Sequence, residues 1–181
     1  MLLADAGYDV WIANSRGTRY CFGHETLDAI DDAAAYWDFS WVEMGLYDNV
    51  ANIAYIKDQA SVDKIFYIGY SQGTIQMHYG LAKLEDSFFA GSLHKCVLLG
   101  PCFVGTNVDG LKPADRNHAG MDVSQLGIYA TNGPNWTKDL EKICANTSAK
   151  TAAFYTSQSG EQGMSTKTWD HWMQNTVADR F

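Results

Sequence analysis

Apolar and polar positions in the first hundred residues switch between a period near two and a period near four. Tyr8-Asp9-Val10-Trp11-Ile12-Ala13 is rich in aromatic and β-branched residues and runs out into Asn14-Ser15-Arg16-Gly17, which predicts a strand followed by a turn-rich loop. Ser40-x-x-Glu43 has the form of a capping box, and Met44, Tyr47, Ala51 and Ala54 then recur at three- and four-residue spacing. That pattern predicts a helix of about 17 residues with those four positions on one face. Lys64-Ile65-Phe66-Tyr67-Ile68 reads as a strand, 74–83 as a helix, and Cys96-Val97-Leu98-Leu99 as a further strand ending at Gly100-Pro101. Strand, helix, strand, helix, strand implies right-handed crossovers in a parallel sheet, an α/β fold.

The pattern changes after Val104. Residues 105–181 are rich in Gly, Asn, Thr and Ser, with moderately helical patches near 138–145 and 164–177 and no convincing buried strand. The division implied is a core over 1–104 and a cap, or lid, over 105–181. Phe154, Tyr155, Met164, Trp169, Trp172 and Met173 are candidates to line an apolar substrate site, although aromatics at helical spacing more often belong to a core.

The chemistry concentrates between the second and third apolar runs. Gly69-Tyr70-Ser71-Gln72-Gly73 is a G-x-S-x-G sequence set between a strand and a helix, the context of a nucleophile elbow. A serine on such a turn is lifted above the sheet edge, and a side chain at Gly69 or Gly73 is expected to collide with neighbouring backbone. The alternative reading is an ordinary tight turn between buried elements. Ser71 is thus the candidate nucleophile, and the backbone N–H of Gln72 a candidate oxyanion donor, helped by the field of the helix start.

A serine of this kind needs a base, and the five histidines are tested in turn. His78 lies along the helix leaving the elbow, about 10 Å from Ser71. His94 begins the following strand, which puts it at the sheet end opposite Ser71, roughly 15–20 Å away. His118 and His171 fall in the cap. His24 sits in the loop after the first strand, on the nucleophile's side of the sheet, but it precedes the serine in the chain, an order this constellation does not normally use.

Composition narrows the rest. The 181 residues are 46% hydrophobic, enough to bury a core, and the net charge of −8 argues against nucleic acid as a partner. No apolar stretch reaches the roughly 18 residues of a membrane span, and Met1–Trp11 lacks the form of a signal peptide. Cys21, Cys96, Cys102 and Cys144 have no metal-ligand spacing; buried thiols are the plain reading, an oxidised pair the other. Asn135-Trp136-Thr137 and Asn146-Thr147-Ser148 are glycosylation sequons, of consequence in a secreted chain.

Several motifs, in order, resemble one family. Leu3-Ala4-Asp5-Ala6-Gly7-Tyr8-Asp9-Val10-Trp11 with Asn14-Ser15-Arg16-Gly17 is similar to a stretch of the acid lipases, an α/β-hydrolase group. Phe39-Ser40, Glu43-Met44 and Tyr47-Asp48 resemble that family's helix before the nucleophile strand. Tyr67–Thr74 resembles its elbow, with Tyr70 where histidine is usual; Leu98-Leu99-Gly100-Pro101 matches the next strand, and Gly163-Met164-Ser165 with His171-Trp172 a late part of the cap.

The resemblance implies the α/β-hydrolase fold and hydrolysis of lipid carboxylic esters, acylglycerols or sterol esters, through an acyl-enzyme on Ser71, with Gln72 in the oxyanion hole and no cofactor or metal. It also implies a secreted or lysosomal location and a substrate met at a lipid–water interface. The family's first strands and its second oxyanion loop would precede Met1, and its catalytic Asp and His would follow Phe181. The 181-residue chain alone is therefore expected to be inactive. Cys144 resembles a cap cysteine of the family, without an evident partner. Two other readings stay open: a thioesterase or acyltransferase on the same scaffold, and a non-catalytic lipid-binding product.

Overall fold

The computed structural model describes residues 2–18, 20–84, 87–103, 128–130 and 163–165, and individually 167, 168, 171, 172, 174 and 175. The chain opens with a single exposed turn, α1 (Leu2–Asp5), and residues 8–13 then run without regular structure, with Tyr8, Val10 and Ile12 in solvent. The strand expected there is not formed. Aromatic and β-branched residues favour a strand only where a neighbour supplies the ladder, and no described strand pairs with this stretch. The turn after it is as expected and is pinned to the following helix. Arg16 donates from its backbone N to Asp48 Oδ2 at 2.8 Å and from Nε to Asp48 Oδ1 at 2.7 Å, and Asn52 Nδ2 donates to the Asn14 carbonyl at 3.2 Å.

A short α2 (Ala33–Tyr36) leads to one continuous helical rod. It comprises α3 (Trp41–Glu43), a π-helical turn (Met44–Asp48) and α4 (Asn49–Ala60). The predicted capping box starts it: Ser40 N donates to Glu43 Oε2 at 2.7 Å and Val42 N to Ser40 Oγ at 3.2 Å. The predicted face is wrong. Met44 is buried, but Tyr47, Ala51 and Ala54 are exposed, and the positions that turn inward are Asn49 and Ile53. The wide turn is the cause, because Asn49 N donates to the carbonyl of Met44, five residues back, and that extra residue rotates everything downstream.

Beyond the rod, β1 (Ile65–Tyr70), α5 (Gln72–Lys83), α6 (Ser87–Ser92) and β2 (Leu93–Leu99) follow in order. The two strands pair in parallel, as predicted, from Ile65 against Leu93 to Tyr70 against Leu99. Within 105–181, where the sequence predicts no convincing strand, two short strands form: β3 (Ile128–Ala130) pairs antiparallel with β4 (Gly163–Ser165). Their three-residue length explains why no apolar periodicity betrays them. Lys167, Thr168, His171, Trp172, Gln174 and Asn175 have helical backbone, in line with the patch at 164–177. The patch at 138–145 lies outside the described residues.

Helix α5 serves two cores. Ile75 joins Ala29, Tyr36, Trp37, Phe39, Trp41 and Met44, while Met77, on the other side of the helix, joins Ile53, Phe89 and Leu93 under the sheet. The rod lies so close to α5 that a Cβ on Gly45 would stand 2.5 Å from the Gln76 carbonyl oxygen. Ile65, Tyr67, Cys96 and Leu98 face the second core; Phe66, Ile68, Tyr70, Val97 and Leu99, on the alternate positions, are exposed. Among the described residues no helix is long and apolar enough to cross a membrane.

Candidate active site

The turn from β1 to α5 places Ser71 at φ 50°, ψ −116°, exposed at the strand's end and immediately ahead of the helix. A non-glycine residue there carries strain of about 1–3 kcal/mol, so its surroundings must hold it. They do so from both sides. Ser71 N donates to the Leu99 carbonyl at 3.1 Å, extending the parallel ladder by one residue. Its carbonyl accepts from Thr74 N at 2.9 Å and from Thr74 Oγ1 at 2.6 Å, and Cys102 N donates to that hydroxyl at 3.4 Å. Tyr67 Oη closes the loop by donating to the Gly73 carbonyl at 2.9 Å. Burial pushes the Tyr67 phenol above the usual tyrosine value of 10.0, so it serves as a neutral donor.

The two glycines of the motif differ. A Cβ on Gly69 would lie 2.8 Å from the Gly73 carbonyl oxygen and 2.8 Å from Tyr67 Cε1, so the expected collision is real at this position. At Gly73 it is not: a Cβ there would meet Tyr67 Oη at 3.5 Å, an ordinary contact. Gly73 already lies inside α5, where the chain direction has turned away from β1.

Ser71 Oγ makes no capping bond to its own helix, and its exposure leaves it open to a reactant. Gln72 begins α5, so its N–H belongs to the first turn, whose donors have no carbonyl partner within the helix and sit in the positive end of its dipole. A negative oxygen beside Ser71 would be stabilised there. The Gln72 side chain is held elsewhere: Nε2 donates to Met44 Sδ at 3.4 Å, and Oε1 accepts from Trp172 Nε1 at 3.1 Å.

His24, His78 and His94 make their contacts with residues other than Ser71. His24 is exposed, and its Nδ1 accepts from Thr26 N at 3.1 Å and Leu27 N at 3.0 Å. His78 lies against the Phe103 ring at 4.1 Å, and His94 against Phe66 at the far end of the sheet. His171 stacks on Trp41 at 4.0 Å with Nδ1 3.2 Å from Ser40 Oγ. His118 lies outside the described residues.

Three residues of the site are not apparent from the motif alone. Thr74 is fully buried, and the clue to it is a hydroxyl three residues after the serine, within reach of the carbonyl three back. Met44 and Trp172 reach Gln72 only through tertiary packing. Of the aromatic residues proposed to line a substrate site, Trp172 packs against the first core, which is the plainer of the two readings. Phe154, Tyr155, Trp169 and Met173 lie outside the described residues, as do Cys144 and both sequons. Cys21, Cys96 and Cys102 are free thiols; Cys21 is exposed rather than buried, and burial pushes the Cys96 thiol up. No group of metal-binding side chains forms among the described residues.

No protein-family model matches the chain. Curated relatives do. Lipase lipl-5 of Caenorhabditis elegans is 34% identical over 151 residues, covering 79% of this chain and 36% of its own length. Lipase member M of Homo sapiens is 47% identical over 161 residues, 80% of this chain and 36% of the relative. The human lysosomal acid lipase/cholesteryl ester hydrolase is 44% identical over 73 residues, 40% of this chain and 18% of that protein. The chain thus spans little more than a third of the curated relatives it matches. With a parallel β1–α5–β2 unit built around a strained serine, and with lipases as its relatives over most of its length, the chain is similar to the acid lipases.

Proposed function

We propose that the whole protein is a serine hydrolase of lipid carboxylic esters, acylglycerols or sterol esters, with residues 1–104 in the core of an α/β-hydrolase fold and 105–181 in its cap. The observation that carries this reading is Ser71 at φ 50°, ψ −116°, between the end of a parallel strand and the first residue of the following helix. Ser71 Oγ attacks the ester carbonyl and gives its proton to a histidine base; the Gln72 N–H receives the oxyanion. The alcohol leaves with that proton, and water then releases the fatty acid by the same route in reverse. The base and the carboxylate that orients it are assigned to residues outside 1–181, following the chain order Ser, Asp or Glu, His of this constellation; His24, His78 and His94 make their contacts with residues other than Ser71. A secreted or lysosomal location is part of this proposal, supported by the name of the human lysosomal relative.

The test is fluorophosphonate labelling of the whole protein, followed by peptide mapping. Label on Ser71, lost together with ester hydrolysis in Ser71→Ala, is the expected result. Label that survives Ser71→Ala, or that maps to Ser15 or Ser165, overturns the assignment.

A further inference from the structure

A hundred residues beyond the elbow, the chain returns to it. Ser165 Oγ contacts the carbonyls of Trp37 and Phe39 at 2.7 and 2.6 Å, and Thr168 Oγ1 donates to the Phe39 carbonyl at 3.3 Å. Lys167 pairs with Asp38 at 2.8 Å, and His171 lies flat on Trp41. Ser165 and Thr168 are fully buried. These contacts hold Ser165, Lys167, Thr168 and His171 against residues 37–41, and Trp172 meets the amide of Gln72.

The amide is then held at both ends. Trp172 Nε1 donates to Oε1 at 3.1 Å, and Nε2 donates to Met44 Sδ at 3.4 Å, a sulfur that also accepts from Gln76 Nε2 at 3.1 Å. Sulfur is a weak acceptor, so the indole N–H is the stronger restraint on the side chain. Its other effect is on the peptide. Gln72 is the first residue of α5 and has few helical bonds of its own to fix its backbone, yet its N–H must stand within hydrogen-bond distance of the developing oxyanion.

We infer that Trp172 is a positioning residue: by fixing the Gln72 side chain against Met44, it orients the Gln72 peptide N–H toward the oxyanion at Ser71, coupling the seating of Ser165, Lys167, Thr168 and His171 to catalytic competence. This rests on the proposed roles of Ser71 and Gln72. The indole N–H is the working part, and the ring also packs near Trp41 at 6.4 Å. Trp172→Phe removes the first and keeps most of the second.

The experiment is a cycle in the whole enzyme with Trp172→Phe, Gln72→Leu and the double variant, each checked for an unchanged thermal midpoint and assayed on a soluble nitrophenyl ester. Trp172→Phe is expected to lower kcat about tenfold with KM unchanged, the mark of an interaction made in the transition state. In the Gln72→Leu background the same substitution is expected to have no further effect, because the residue through which it acts is gone. A wild-type kcat in Trp172→Phe, a change confined to KM, or two effects that multiply in the double variant overturns the inference while leaving Ser71 in place. Retention of hydrolysis by Ser71→Ala overturns the underlying reading instead. Should Trp172→Phe lower the thermal midpoint, Trp172→His, whose ring N–H can donate, decides the matter: recovery of kcat supports positioning, and no recovery refutes it.

Discussion

The two glycines of the elbow make a matched pair whose substitutions are expected to act in opposite directions. In Gly69→Ala the new methyl meets the Gly73 carbonyl oxygen and Tyr67 Cε1 at 2.8 Å and the Gly73 carbonyl carbon at 2.9 Å. Comfortable contact begins near 3.5 Å, so these atoms must give by more than half an ångström. They resist, because the Gly73 carbonyl is also the acceptor for Tyr67 Oη at 2.9 Å. Overpacking of this kind costs about 1–3 kcal/mol. Gly73→Ala places its methyl 3.5 Å from Tyr67 Oη, without a clash, at a helical position of α5. There the change is worth about 0.5–1 kcal/mol in favour of folding. The two variants should therefore differ by roughly 1.5–4 kcal/mol, which at about 2–4 °C per kcal/mol is readily measured in thermal unfolding of the whole protein. The rate of fluorophosphonate labelling should fall in Gly69→Ala and stay near wild type in Gly73→Ala. Equal destabilisation by the two substitutions, or a larger loss at Gly73, would falsify this account of the turn.

Tyr67 and Asp48 supply two further tests. With its folded pKa raised by burial, the Tyr67 phenol keeps its proton in the native state at pH values where the unfolded chain has released it, so stability should fall as pH rises past about 10. Tyr67→Phe should lose about 1 kcal/mol at neutral pH, from the bond to Gly73, but show a shallower alkaline decline; urea midpoints that decline in parallel for the two proteins would refute the assignment. Asp48→Ala strips Arg16 of three contacts at 2.7–2.8 Å and should cost about 1–3 kcal/mol, toward the lower end because the Arg16 side chain is 36% exposed. Asp48→Asn should lose less, since an acceptor for Arg16 N remains; an unaltered unfolding midpoint in Asp48→Ala would show that the loop needs no such anchor.

What sequence alone revealed were the features determined by neighbours in the chain. The capping box at Ser40, the β1–α5 turn with Ser71 in it, and the parallel pairing of β1 with β2 all follow from local residue chemistry and element order. Features that depend on tertiary partners were missed or misplaced. Residues 8–13 have strand composition, but pairing makes a strand, and pairing is not encoded within six residues. The inward face of the rod could not be found by counting in threes and fours across a turn that counts five. The grip on Gln72 joins Met44, Gln72 and Trp172, residues whose separations carry no periodic signal.

The wide turn at Met44–Asp48 also changes what a mutation there can do. On one side of it Trp41 and Met44 point into the first core; on the other Ile53 points into the second. Each residue of an α-helix advances the side-chain direction by about 100°. In a regular helix the nine positions from Met44 to Ile53 would carry the side chain about 900°, to the opposite side; the wide turn absorbs one residue and keeps Met44, Asn49 and Ile53 on inward positions. Deleting one residue from this stretch would therefore leave a regular helix with its two halves near their present directions. The stretch is a place where the rod can lose a residue with little change to either core.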